Sequence, residues 1–160
     1  MYSFTNFILL HEVHKLRGIT MTEHNIRVLA LGLIQRADGA MLLSPGFDSV
    51  KNEPFYRLLG GGVEFGETGS EALRREFMEE LGLEVTISPL LLTAENIFTF
   101  EGERGHQIMM MYQCAFTDES IYEQQTVPRI DGEPEAVWRT REDIMVERAK
   151  LYHAEVTELL

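Results

Sequence analysis

Residues 61–83 read GGVEFGETGSEALRREFMEELGL, and this stretch carries most of the information about the fold. Within it, positions 68–81 have the pattern of an amphipathic helix, because apolar residues recur at every fourth position. The members of this stripe are Leu73, Phe77 and Leu81. Thr68 or Ser70 can cap the start of the helix, and Gly82 can end it. The stretch therefore predicts a glycine-rich loop followed by a helix that packs on a core.

A cluster of acids borders the apolar stripe. Glu76, Glu79 and Glu80 stand at i, i+3 and i+4, so their side chains lie close together on the helix. Two unit charges about 4 Å apart repel by ~1 kcal/mol in water and by ~4 kcal/mol at an effective dielectric of about 20. A bound cation or a protonated glutamate would relieve this repulsion, and an all-oxygen ligand set suits Mg²⁺, Mn²⁺ or Ca²⁺. The alternative is a solvated helix face on which Arg75 pairs with Glu79.

The loop before the helix favours a ligand site over a plain surface. It contains four glycines and two further acids, namely Gly60, Gly61, Gly62, Gly66, Glu64 and Glu67. Glycines allow the backbone to approach a ligand closely, and the N-terminus of a helix favours anions. Loop and helix together therefore predict a place where a cation and a phosphate meet.

The full pattern is Gly61-x5-Glu67-x7-Arg75-Glu76-Phe77-x-Glu79-Glu80-x-Gly82-Leu83. It resembles the Nudix box at every fixed position. The one mild departure is Phe77, where the family more often has an aliphatic residue, and this position is still bulky and apolar. Agreement at nine specified positions identifies the chain as similar to the MutT-like Nudix hydrolases.

The resemblance implies an α+β Nudix fold, an α/β/α sandwich with a mixed sheet and the box as a loop–helix–loop catalytic motif. The order of strands and helices read from the sequence agrees over residues 24–155. Strands are predicted at 26–34, 41–43, 55–59, 84–100, 107–117 and 134–139, and one or two helices at 141–160. The sequence also predicts a hairpin turn at Asp38-Gly39 and a loop at 45–54.

The resemblance also implies roles for particular residues. The metal ligands of the box correspond to Glu76, Glu79, Glu80 and the carbonyl of Gly60. The pair that usually forms a supporting salt bridge corresponds to Glu67 and Arg75. Family members use Mg²⁺, or in some cases Mn²⁺, to hydrolyse nucleoside diphosphates linked to another moiety, by attack of water on phosphorus.

The general base varies within the family. A glutamate of the box, Glu79 or Glu76, is the first candidate for this catalytic role. Acids of later loops are the alternatives, and His106 is a further candidate near the end of a strand. These later acids are Glu101, Glu103, Asp131, Glu133 and Glu135.

The substrate is not defined by the sequence. The proline of ADP-ribose enzymes and the tyrosine of dinucleoside polyphosphate enzymes are both missing after the box. Phe98 and Phe100 could stack on a base, and Arg57 could contact the substrate, although strand aromatics more often belong to a core. The expected partner is therefore a small-molecule nucleotide of unassigned identity.

Composition narrows the setting. The 160 residues carry a formal net charge of −12, which disfavours DNA and anionic membranes as partners. No apolar run approaches the ~20 residues of a membrane span. The single cysteine, Cys114, lies in an apolar run and is expected to be a small buried hydrophobe. A cytoplasmic location is the expectation that fits these features.

The chain is predicted to be a single Nudix domain at 21–160 with an N-terminal extension at 1–20. Met21 is an alternative start. Many relatives form homodimers, and the apolar residues of the extension would suit such an interface.

Three functions remain in competition. The first is an active pyrophosphohydrolase, which the intact box favours. The second is a nucleotide-binding or regulatory module without turnover. The third is a structural Ca²⁺ or scaffold role, which would leave the loop and helix pattern to coincidence.

Overall fold

Two mixed β-sheets and one long helix form the part of the chain that the computed structural model describes, residues 25–152. The strands are β1 Arg27–Leu33, β2 Met41–Asp48, β3 Glu53–Arg57, β4 Leu59–Gly62, β5 Val85–Phe100, β6 Glu103–Phe116, β7 Thr126–Val127, β8 Ala136–Arg139 and β9 Lys150–Leu151. The helices are α1 Gly69–Leu81, α2 Arg141–Val146 and a 3₁₀ helix at Glu119–Glu123. None of these helices has the length and apolar character needed to cross a membrane.

The first sheet has the strand order β4-β1-β6-β5. Strand β1 pairs antiparallel with β4 and parallel with β6, while β5 and β6 form a long antiparallel hairpin. The register of that hairpin shifts on both sides of Leu90, so the strand predicted at 84–100 is present with a local irregularity there. Strands β1 and β6 each have partners on both edges and are therefore the two central strands of this sheet.

The second sheet has the order β7-β8-β2-β3-β9. The predicted turn at Asp38-Gly39 is present, with Gly39 at φ 85° and the Ala40 N–H donating to Asp38 Oδ1 at 3.0 Å. The predicted hairpin is present next to this turn, where the Arg36 N–H donates to the Ala40 carbonyl at 2.8 Å and the Leu42 N–H donates to the Ile34 carbonyl at 3.0 Å. Beyond the turn the prediction was wrong, because β1 and β2 belong to different sheets. Strand β1 is already paired with β4 and β6, so the chain crosses to the other sheet after the turn.

The predicted loop at 45–54 was also wrong over most of its length. Strand β2 continues to Asp48 and β3 starts at Glu53, so the turn between them is short. A Cβ at Gly46 would lie 2.2 Å from the ring of Phe55, so this glycine is where an aromatic ring crosses the neighbouring strand. Gly46, which suggested a loop, instead lies in a strand and allows this cross-strand contact.

The core divides into two clusters on opposite faces of the sheets. Along β1, Ala30 belongs to one cluster and Leu31 to the other. Helix α1 contributes Leu73 and Phe77 to the first cluster, while α2 contributes Ile144 to the second. The two helices therefore lie on opposite sides of the β layer, and the predicted α+β Nudix fold with its α/β/α arrangement is confirmed.

The end of the chain differs from the prediction. Helix α2 ends at Val146, and β9 follows it at Lys150–Leu151 and pairs parallel with β3. The helix prediction was therefore wrong for residues 147–152. Residues 153–160, and the predicted extension at 1–20 with its alternative start at Met21, lie outside the described residues.

Candidate active site

Helix α1 begins with a complete capping box. The Thr68 hydroxyl oxygen accepts from the Glu71 N–H at 3.3 Å, and the Glu71 carboxylate accepts from the Thr68 N–H at 2.7 Å. At the other end Gly82 adopts the left-handed conformation at φ 68°, and its N–H donates to the Met78 carbonyl. Local signals alone thus place this helix, with Thr68 rather than Ser70 as the cap.

The loop before α1 is tied to the helix by one arginine. Arg75 donates from Nε to Glu67 Oε1 at 3.1 Å and from Nη2 to Glu67 Oε2 at 2.8 Å. The same Nη2 donates to the carbonyl oxygen of Gly62 at 2.8 Å. The Arg75 side chain and the Glu64 N–H, which both donate to the Glu67 carboxylate, hold the pKa of Glu67 below its usual range. Arg75 is therefore bonded to the loop both through the side chain of Glu67 and through the backbone of Gly62.

Glu76 and Glu79 share the remaining end of that arginine. Arg75 Nη1 donates to Glu76 Oε1 at 2.9 Å and to Glu79 Oε2 at 3.2 Å. The side chain of Glu76 is 17% exposed and that of Glu79 is 59% exposed. One guanidinium thus orders both carboxylates, and Glu79 is the one that water reaches freely.

Two glycines make room for this arrangement. A Cβ at Gly61 would lie 2.4 Å from the carboxylate of Glu76, so any side chain there would collide with it. Gly60 adopts φ 124°, and a Cβ there would lie 2.2 Å from the carbonyl oxygen of Ala30. Both glycines lie in strand β4, although the sequence places them in a loop.

Glu80, the third glutamate, faces a different arginine. Arg129 Nη2 lies 2.8 Å from Glu80 Oε1, and the Gly60 N–H donates to Glu80 Oε2 at 3.3 Å. Burial raises the pKa of Glu80, and the charge of Arg129 opposes this rise. No local pattern in the sequence indicates a role for Arg129, because it lies 49 positions from Glu80 in an irregular segment.

The donor chemistry of this site fits a hard divalent cation. The three carboxylates and the backbone of Gly60 offer only oxygen ligands, and Gly61 leaves space beside Glu76 that a side chain would fill. Within residues 25–152 no three acid, histidine or cysteine side chains converge as they would around a bound ion. Glu76 and Glu79 are paired with Arg75, and Glu80 is paired with Arg129.

A cleft of about 570 Å³ lies between the two sheets beside this site. Gly60 lines it, and so do all three residues predicted to contact a substrate, Arg57, Phe98 and Phe100. The lining also includes four cationic side chains and no acidic one; the cations are Arg27, Lys51, Arg57 and Lys150. In a chain with 26 acids and 14 basic residues, such a lining favours an anionic ligand.

The two predicted aromatic contacts also have partners within the protein. The ring of Phe98 lies across Gly105, where a Cβ would come within 2.3 Å of it. Phe100 packs edge to face on Phe55, with ring centroids 5.8 Å apart. Both rings line the cleft, so each can serve packing and still present an edge or a face to a ligand.

The other candidates for a general base are scattered. Asp131 bonds to the same arginine as Glu80, and this arginine lowers the pKa of Asp131. Glu101, at the tip of the β5–β6 hairpin, accepts hydrogen bonds from Ser49. His106 lies in β6, and its ring nitrogen is 2.8 Å from the carboxylate of Glu95 in β5. The remaining later acids have other surroundings: Glu103 lines a separate cavity, Glu135 binds Thr126, and Glu133 donates its N–H to Asp131.

A β layer between helices, with a glutamate-bearing helix behind a glycine strand, defines the Nudix class of protein. The Nudix domain model matches residues 24–160, and the chain belongs to the Nudix family. The resemblance of the box to that family is thereby confirmed.

Known relatives share both sequence and fold. The nucleoside triphosphatase NudI of Escherichia coli O139:H28 is 41% identical over 96 residues, and the protein of the same name from Shigella flexneri matches equally. This match covers 54% of the chain and 64% of the relative. A MutT Nudix hydrolase of Burkholderia pseudomallei is 26% identical with a TM-score of 0.56, covering 74% of this chain and 86% of that one. The E. coli ORF135 protein has a TM-score of 0.58 at 20% identity, covering 87% and 89%, and supports the fold alone.

Proposed function

We propose that the chain hydrolyses a pyrophosphate bond in a nucleotide with the help of a divalent cation, Mg²⁺ in the cell and Mn²⁺ as a substitute. One observation carries this proposal. Gly60 lines the cationic cleft and also donates its N–H to Glu80 of the acidic helix. A polyanion lying in the cleft would therefore bring its phosphates to the end where the glutamates stand.

The residues of the site have two proposed roles, cation binding and structural support. Glu76, Glu79 and Glu80, together with the carbonyl of Gly60, would hold the cation. Glu67 and Arg75 keep the loop and the helix in register. The bound cation would polarise phosphate oxygens and lower the pKa of an attacking water.

Glu79 is the general base that the geometry favours. Its side chain is 59% exposed, whereas those of Glu76 and Glu80 are 17% and 13% exposed. A proton taken from water must reach a carboxylate that water can contact, and Glu79 meets this condition best. Glu76 is the second candidate and shares Arg75 with it.

The cationic lining of the cleft separates into two kinds of group. Lys51 and Lys150 are paired, with Asp48 at 3.1 Å and Glu53 at 2.8 Å. The side chains of Arg27 and Arg57 have no partner within residues 25–152. Guanidinium groups without a partner in the described part of the chain suit the oxygens of a phosphate, so these two arginines are the proposed anion contacts.

A nucleoside triphosphate is the first substrate to test, since NudI is named a nucleoside triphosphatase. The protein would be incubated with nucleoside triphosphates, nucleoside diphosphate sugars, ADP-ribose and dinucleoside polyphosphates, with Mg²⁺ or with EDTA. Products would be resolved by phosphorus NMR. We expect nucleoside monophosphate from at least one compound, only with Mg²⁺. Binding of nucleotides without turnover on any of them would instead support a binding module.

A further inference from the structure

Arg129 lies outside the Nudix box, yet it is built into the acidic site. Its side chain is 2% exposed, and Nη2 lies 2.8 Å from Glu80 Oε1. The same guanidinium bonds to Asp131 and donates from Nη1 to the hydroxyl of Ser44 at 3.3 Å. A buried arginine with three acceptors from separate parts of the chain is held in one orientation.

The residue after Arg129 contacts the same glutamate through the backbone. The Ile130 N–H donates to the Glu80 carbonyl oxygen at 2.8 Å, and a Cβ at Gly82 would lie 3.4 Å from Ile130 Cδ1. Residues 129 and 130 thus meet both the side chain and the main chain at Glu80. The segment between β7 and β8 is thereby attached to the last turn of α1.

The Glu80 carboxylate has one donor on each oxygen. Oε1 accepts from Arg129, and Oε2 accepts from the Gly60 N–H. Since a carboxylate oxygen has about two lone-pair sites, each oxygen keeps one for another ligand. The two donors therefore fix the plane of the carboxylate and leave it able to bind a cation.

We infer that Arg129 is a positioning residue, which aligns the Glu80 carboxylate for cation binding. This inference rests on the proposed function, because it takes Glu80 as a metal ligand. A salt bridge that served folding alone would change stability without changing the affinity for the ion. An arginine that aligns a ligand changes that affinity in the folded protein.

The test is a titration with Mn²⁺, followed by electron paramagnetic resonance. Groups that orient a metal ligand typically contribute tenfold to a hundredfold in affinity, so we expect Arg129→Met to weaken Mn²⁺ binding by about tenfold or more. Arg129→Lys should not restore it, because an ammonium cannot reach Glu80, Asp131 and Ser44 in the same planar arrangement. Arg141→Met, which removes an exposed arginine from α2, is the charge-matched control and should bind as the wild type does.

A double-variant comparison shows whether the effect passes through Glu80. Glu80→Gln alone should weaken Mn²⁺ binding, and adding Arg129→Met should weaken it little further. Independent losses from the two changes would overturn the inference. So would wild-type or tighter affinity in folded Arg129→Met, the latter because it would make Arg129 a competitor of the ion.

Misfolding of Arg129→Met, or a failure of the wild type to bind Mn²⁺, would each need a separate interpretation. If Arg129→Met does not fold, Ser44→Ala removes one acceptor of the guanidinium and should give a smaller loss of affinity, and unchanged affinity there would refute the inference. Absence of Mn²⁺ binding by the wild type would overturn the proposed function and this inference together. Normal binding by the wild type with no change in the variants would overturn this inference alone.

Discussion

Gly61 shows how a single atom constrains the acidic site. Its hypothetical Cβ would lie 2.4 Å from the Glu76 carboxylate, whereas a Cβ at Gly62 would meet only Arg27 Nη2, at 3.7 Å. The two glycines are neighbours in the same strand, but only one of them is required by a close contact. Substitutions at Gly61 and Gly62 can therefore distinguish an effect on the position of Glu76 from a general effect on strand β4.

Gly61→Ala should displace Glu76 and lower the rate of hydrolysis by on the order of a hundredfold. The free energy of unfolding should change little, because the Glu76 carboxylate is the end of a flexible side chain and can move aside. Gly62→Ala is the matched control, and we expect a much smaller effect on the rate. Steady-state kinetics with Mg²⁺ measure both, and equal rates for the two variants would show that the contact with Glu76 does not matter.

At the scale of elements, the loop and α1 behave as one unit because of Glu67 and Arg75. Two hydrogen bonds join their side chains, and a third joins Arg75 to the Gly62 carbonyl. Arg75 holds the pKa of Glu67 below its usual value, so the pair stabilises the fold while Glu67 is ionised. This contribution is fully present above the pKa of an unfolded glutamate, about 4.3, and is lost as the pH falls through the lower folded value.

Glu67→Gln should therefore lower the melting temperature near neutral pH, in the absence of metal. The difference from the wild type should shrink as the pH falls below about 4, because the wild-type pair is then lost as well. Melting curves followed by circular dichroism across this range measure it, with Glu142→Gln as an exposed control on α2. A difference that stays constant down to the most acidic pH would mean that the ion pair is not its source.

Short-range signals account for what the sequence could predict. The cap at Thr68, the end at Gly82 and the apolar stripe of α1 all act within a few residues, and the structure contains each of them. The separation of β1 and β2 into different sheets depends on β4 and β6, which are distant in sequence. Arg129 reaches Glu80 across 49 positions, so no local pattern could indicate that pair.

At the scale of the whole molecule, an acidic protein contains a cationic cleft. The chain carries a net charge of −12, yet the cleft between the sheets has four basic side chains and no acidic one in its lining. The acidic surface repels polyanions and the cleft attracts them, so association depends on the local electrostatic field of the cleft.

A homodimer and a cytoplasmic location stay predictions.

This charge pattern predicts that the KM for a triphosphate rises with NaCl concentration, since salt screens the attraction of exposed charges. The double variant Arg27→Gln/Arg57→Gln should raise KM more than it lowers kcat and should depend less on salt. Kinetics over a series of NaCl concentrations test this. A KM independent of salt, or unchanged in the double variant, would remove the cleft from substrate binding.

The central claim is that the glutamates of α1 carry a cation-dependent hydrolysis. The most direct measurement is kcat/KM with Mg²⁺ for the wild type, Glu79→Gln and Glu80→Gln on the best nucleotide of the panel, with Glu142→Gln as the control. We predict that each of the first two variants falls by about a hundredfold or more while its melting curve stays folded, and that the control keeps the wild-type value. Wild-type-like kcat/KM in both Glu79→Gln and Glu80→Gln would contradict the claim.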